Sequence, residues 1–148
     1  MRPLRPEIEV TRQRTLDKAE LNARSEFRYQ LRRFERFGEQ AARARGITWP
    51  QYLLLLHILG MPERNWALVG ELAERMQLEH HSTVGLVSRC EAAGLVERRP
   101  DEADRRQVQV HVTRQGRAAV MAVASSQEDE LDALLKFLKA ARARRTRA

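Results

Sequence analysis

Apolar side chains return at three- and four-residue steps along most of this chain, and one short stretch near residue 110 alternates in twos instead. Phe27, Leu31, Phe34, Phe37 and Ala41 recur in the first manner with arginines between them, the pattern of an amphipathic helix running from Glu7 to a stop at Gly46. The six residues before it hold two prolines and two arginines and are read as a flexible arm. Thr48 and Gln51 have capping-box spacing, and Pro50 suits a first helical turn, so a second helix starts near Trp49. Its run "QYLLLLHILG" is apolar nearly all round, as a buried central helix is, and Gly60 ends it.

In "ALVGELAERMQL" the residues Leu68, Leu72, Ala73 and Met76 share a face, which predicts a short third helix. "HHSTVGLVSRCEAAG" predicts a fourth, with Val84, Val87 and Cys90 inward and Gly94 as its stop. Two short helices joined by a tight connection suggest a helix-turn-helix. Leu95 to Arg99 and Gln107 to Thr113 then read as two strands around the turn "PDEADR", because Val108, Val110 and Val112 alternate with Gln109 and His111. Thr113 caps a fifth helix, and a sixth places Leu131, Leu134, Leu135 and Leu138 on one side before an arginine-rich end expected to fray. The fold class is therefore mainly α with a small β-hairpin wing. Residues 1–6 form an arm, 7–46 an N-terminal helix, 47–113 a winged helix-turn-helix, and 114–148 the C-terminal helices with a basic tail. The outer helices have too little of their own chain to cover them, which predicts a two-fold homodimer joined through both ends.

Charge narrows the partners. Lys and Arg number 27 against 20 Asp and Glu, a formal +7 over 148 residues, so an anionic polymer is expected. Double-stranded DNA is the leading partner. A membrane is not expected, since no run approaches the ~18 apolar residues of a span and the basic tail lacks bulky apolar anchors. The single cysteine, Cys90, excludes an internal disulfide and suits a reducing, cytoplasmic setting. No glycine-rich phosphate loop, metalloprotease helix or nucleophile elbow occurs, so no enzyme, cofactor or metal is expected. His80 and His81 are adjacent and point about 100° apart on a helix, a poor arrangement for sharing one ion.

The segment "GELAERMQLEHHSTVGLVSRCEAAGLVERRPDEADRRQVQVHVTRQG", residues 70 to 116, resembles the MarR family of bacterial transcriptional regulators. "FRYQLRRFERFGEQAARARGITWPQYLLLL" is similar to the amino-terminal part of one branch, so the likeness runs from residue 20 to 125, and the last twenty residues match only in helical character. The resemblance implies a homodimer that binds an inverted repeat in DNA, commonly as a repressor released by a small aromatic or phenolic effector. Cys90 stands where many relatives have leucine, and Gly85 where many carry a larger polar or basic side chain. The oxidation-sensing branch uses a cysteine in its first helix; residues 7–45 contain none.

Helix-turn-helix proteins read bases from the start of the second helix, which nominates His80, His81, Ser82 and Thr83, although Ser82 and Thr83 are equally suited to capping. Ser88 and Arg89 are further candidates on that helix, Arg89 for phosphate or for an ion pair. Asp104, Arg105 and Arg106 give the D-x-R arrangement with which the family aims an arginine into the minor groove; a carboxylate can fix a guanidinium there, and a solvated turn is the plain alternative. Arg98 and Arg99 suit phosphate or a neighbouring acid. Phe27, Tyr29, Trp49, Tyr52 and His57 lie where the resemblance implies an effector pocket. The competing function is an architectural or protein-binding winged-helix module without sequence readout.

Overall fold

A computed structural model describes residues 13–147. The expected arm at 1–6, and residues 7–12 of the first expected helix, lie outside the described residues. Helix α1 spans Lys18–Ala44, shorter than the expected start at Glu7. Its origin is set by a capping box: Asp17 Oδ1 accepts from the Glu20 amide at 2.8 Å, and Glu20 Oε2 accepts from the Asp17 amide at 3.0 Å. Arg45 and then Gly46, at φ +74°, end it. Helix α2, Trp49–Leu59, has the reciprocal Thr48 and Gln51 bonds that its spacing predicts, with Pro50 in the first turn.

A short strand that the apolar periodicity does not predict follows. Strand β1, Trp66–Leu68, precedes α3, Val69–Met76, so Leu68 belongs to a strand and not to the third helix. Helix α4 is His80–Ala92, and Gln77 in the left-handed region at φ 52° makes the sharp connection between the two. The wing consists of β2, Val96–Pro100, and β3, Val108–Val112. With β1 it makes a three-stranded antiparallel sheet in the order β1-β3-β2, in place of the two-stranded hairpin expected. Val110 pairs with Ala67 on one side and Arg98 on the other. Pro100, which cannot donate to a ladder, sits on the edge strand β2.

Helices α5, Arg114–Ser125, and α6, Glu128–Arg147, complete the chain. The arginine-rich end is helical through Arg147, a correction to the expected fraying; Ala, Lys and Arg are strong helix formers, and that propensity outweighs the terminal position.

The core is centred on α2. Leu54, Leu55 and Ile58 are fully buried among Leu72 of α3, Val87 and Cys90 of α4, Val110 of β3 and Val123 of α5. Each such side chain contributes about 1.5–3 kcal/mol of transfer free energy. Val84, expected to face inward, is exposed, and Thr83 takes the inner place. The outer helices are covered unevenly: α6 has no buried residue, and Leu131, Leu135 and Leu138 are 44%, 53% and 37% exposed.

Candidate nucleic-acid interface

Helix α4 starts at Glu79 with no side-chain cap. Its first turn therefore presents backbone N–H groups and the exposed side chains of His80, His81 and Ser82 outward. Thr83 does not join them. It is fully buried, and its hydroxyl donates to the Glu79 carbonyl at 3.0 Å, so the expectation that it reads bases is corrected. A threonine can hide this way because its hydroxyl bonds the carbonyl one turn back while its methyl packs inward.

Arg98 takes the second of its two expected roles, the ion pair with a neighbouring acid. From β2 its guanidinium reaches back to α4, donating to Glu91 Oε1 at 3.0 Å, Ser88 Oγ at 2.7 Å and the Val84 carbonyl at 3.2 Å. Its backbone amide donates to Glu91 Oε2 at 2.8 Å. That amide and then the guanidinium hold the Glu91 carboxyl below its usual range. Arg98 and Ser88, both candidates for DNA contact, thus form a brace that fixes the wing against α4. Arg99 pairs with Glu97 on its own strand. Arg89 stays exposed on α4.

At the wing tip Asp104 receives three bonds from Arg106, from its backbone amide, Nε and Nη2, each 3.1 Å long. The guanidinium holds the Asp104 carboxyl below the usual carboxylate range, and the bond to Asp104 raises Arg106 in turn. The Arg106 side chain nonetheless stays 90% exposed. A fork gripped on one side and open on the other is aimed and still able to meet an anion. Arg105 beside it is also exposed. A cleft of about 480 Å³ between α3, α4 and the wing is lined by Leu68, Val69, His80, Val84, Arg98 and Arg106 among others, so the start of α4 and the wing arginine flank one opening.

The five residues expected around an effector do not gather in one chain. Phe27 and Tyr29 are two positions apart on α1 and point about 200° from each other; both are exposed, and Arg33 lies 5.8 Å over the Tyr29 ring. Trp49 and Tyr52 do meet, stacked with centroids 5.3 Å apart. Tyr52 is buried, which pushes its phenol up. His57, turned about 140° from Tyr52 on α2, is half-buried and lowered first by desolvation and then by Arg75.

Three polar residues outside the expected site carry the wing from behind: Asp101, Gln109 and His111. Their signal in the sequence is the alternation of β3, which puts Gln109 and His111 opposite the valine face.

Residues 45–107 match the model of the MarR family. The transcriptional activatory protein BadR of Rhodopseudomonas palustris is 35% identical over 80 residues, 54% of this chain and 46% of that protein. The uncharacterized HTH-type transcriptional regulator YsmB of Bacillus subtilis is 30% identical over 94 residues, 64% of this chain and 62% of that one. The chain thus spans about half the length of these relatives. Among solved structures, Sco3205, a MarR family transcriptional regulator from Streptomyces coelicolor in complex with DNA, superposes with a TM-score of 0.73 at 19% identity, covering 93% of this chain and 89% of that one. The family match thus lies across the helix-turn-helix and wing, and the fold agrees with that of Sco3205 along nine-tenths of this chain's length.

Proposed function

We propose that the chain is a sequence-specific DNA-binding transcriptional regulator that acts as a homodimer on an inverted repeat. The observation that carries this reading is Arg106, clamped by Asp104 yet 90% exposed, beside the uncapped first turn of α4. His80, His81 and Ser82 would meet base edges in the major groove while Arg106 enters the neighbouring minor groove, with Arg105 and Arg89 on phosphate. Exposed leucines on α6, together with Phe27 and Phe37 on α1, supply an apolar surface for a second copy, and the two-fold that results would place two heads on two half-sites. Repression, with release by a small aromatic molecule, is the mode the family resemblance supports. BadR is by name an activator, so a reporter carrying the bound site reads the sign for this chain. An effector pocket built from Trp49, Tyr52 and His57 would need the second copy to close it.

The test is selection of bound duplexes from a random pool, followed by footprinting. One protected inverted repeat is expected; uniform protection would favour the architectural role. On a selected duplex at fixed salt, Arg106→Ala should weaken binding roughly five- to a hundredfold. Log affinity should fall with log salt by about 0.9 per phosphate contact. Unchanged binding of the variant, or a flat salt response, would refute the reading.

A further inference from the structure

The outer face of the wing carries a continuous polar chain that ends at Arg106. Asp101, 8% exposed, closes the wing turn: its amide donates to the Gln107 carbonyl at 3.1 Å, and its Oδ2 accepts from the Asp104 amide at 2.9 Å. Its other oxygen, Oδ1, accepts from Gln109 Nε2 at 2.7 Å. A carboxylate can only accept, so the Gln109 amide nitrogen must face it, and Gln109 Oε1 is left as an acceptor. That fixes His111, 2.9 Å from this oxygen, as the donor through Nε2–H. The His111 ring lies against Trp66 of β1, centroids 6.1 Å apart and 27° from parallel. Arg64 sits 4.5 Å over the far part of this pair, on the Trp66 ring, and is itself paired with Glu71 of α3, Nη1 to Oε1 at 2.8 Å.

We propose that Gln109 and His111 are positioning residues for Arg106. Each link leaves the next one orientation: the stacked imidazole sets the Gln109 amide, the amide sets the Asp101 carboxylate, and Asp101 sets the Asp104 backbone whose side chain clamps the arginine. The wing tip is thereby tied through β1 to the start of α3, and the arginine is aimed by residues on the face of the sheet opposite Val110. A solvated wing turn without this chain would let Arg106 sample many directions, and a narrow groove would then select a small fraction of them.

This inference rests on the wing being a DNA contact, and the experiment separates the two. Affinity is measured by fluorescence anisotropy on a duplex that the full chain itself selects from a random pool, for Gln109→Leu, Gln109→Glu, His111→Phe and Arg106→Ala, alone and combined. Gln109→Leu removes the donor to Asp101 without adding charge and carries the comparison, whereas Gln109→Glu turns that link into a carboxylate–carboxylate repulsion and serves as its harsher form; His111→Phe keeps the stack and deletes the donor. Each should bind roughly three- to tenfold more weakly than the unaltered chain. In the Arg106→Ala background each should change affinity by less than about 1.5-fold, because a positioning residue has nothing left to position. Equal losses in both backgrounds, or no loss in either, would overturn the positioning role. If Arg106→Ala itself binds like the unaltered chain, the wing is not a contact, and the functional reading falls along with its support.

Discussion

Gly116 offers a measurement of how tightly the base of the wing is held. It lies in the first turn of α5, where its amide donates to Thr113 Oγ1 at 3.1 Å. A Cβ at Gly116 would stand 2.2 Å from the Leu95 carbonyl oxygen and 2.9 Å from Val112 Cγ1. The first distance is roughly 1 Å short of an ordinary van der Waals contact. That carbonyl cannot turn aside, since it already accepts the Thr113 amide at 3.0 Å. Gly116→Ala must therefore push α5 off the strand and lift Val120 and Val123 from the core, where both are buried. Overpacking of this kind costs about 1–3 kcal/mol, and a rigid backbone neighbour puts it at the upper end. Replacing glycine by alanine in a helix returns up to about 1 kcal/mol. The net loss is about 2 kcal/mol, or a thermal midpoint lower by roughly 4–8 °C for a chain of this size. Gly70, whose added Cβ meets nothing within 4 Å, is the control: Gly70→Ala should hold the midpoint or raise it slightly. Both are read by calorimetry at one protein concentration, because association shifts the midpoint. A Gly116→Ala midpoint at or above that of the unaltered chain would refute the close approach of α5 to Leu95.

Cys90 is buried, and desolvation pushes its thiol up to about 11, so at pH 8 about one molecule in a thousand carries thiolate. Iodoacetamide should leave the folded chain unlabelled by mass while labelling it fully in guanidinium; fast stoichiometric labelling of the folded form would contradict the burial. Glu71 is held below its ordinary 4.5, first by the bond from Arg64 and further by the Leu68 amide. A lowered carboxyl stabilises above its unfolded value and loses that contribution as pH falls through the folded one. Glu71→Gln should thus cost about 0.5–1 kcal/mol at pH 7, discounted for its partial exposure, with the gap in urea midpoints closing toward pH 4; a gap that stays constant would sink this assignment.

Where a helix began or ended was legible whenever the signal was local. Thr48 with Gln51, Thr113, Gly46 and Gly94 act where their spacing places them, because capping needs only neighbours along the chain. The same kind of signal, Asp17 with Glu20, marks the start of α1, and the apolar periodicity alone did not point to it. Strand β1 was not legible: three residues abutting a helix carry no period of their own, and Trp66–Leu68 become a strand only because β3 offers its free edge. Thr83 and Val84 exchanged places for a similar reason. Residue type predicted the valine inside, but the local bond to Glu79 makes the threonine a better core residue on this face.

The arginines of the wing show why charge alone leaves a DNA site undetermined. The segment from 98 to 106 holds four, and a formal +7 treats them alike. The fold does not. Arg98 turns inward to hold α4, its side chain 27% exposed, and Arg99 is paired across its own strand with Glu97. Arg105 remains a surface cation, suited to any phosphate. Arg106 is the most exposed of the paired arginines, at 90%, and its carboxylate partner is itself held in place through Asp101. Attraction to a duplex needs only positive charge, whereas recognition of one groove geometry needs a charge whose direction is set before the encounter. A D-x-R spacing nominates the residue, but its direction depends on a histidine and a glutamine contributed by the strand after the turn, and that dependence appears only when β3 lies between β1 and β2.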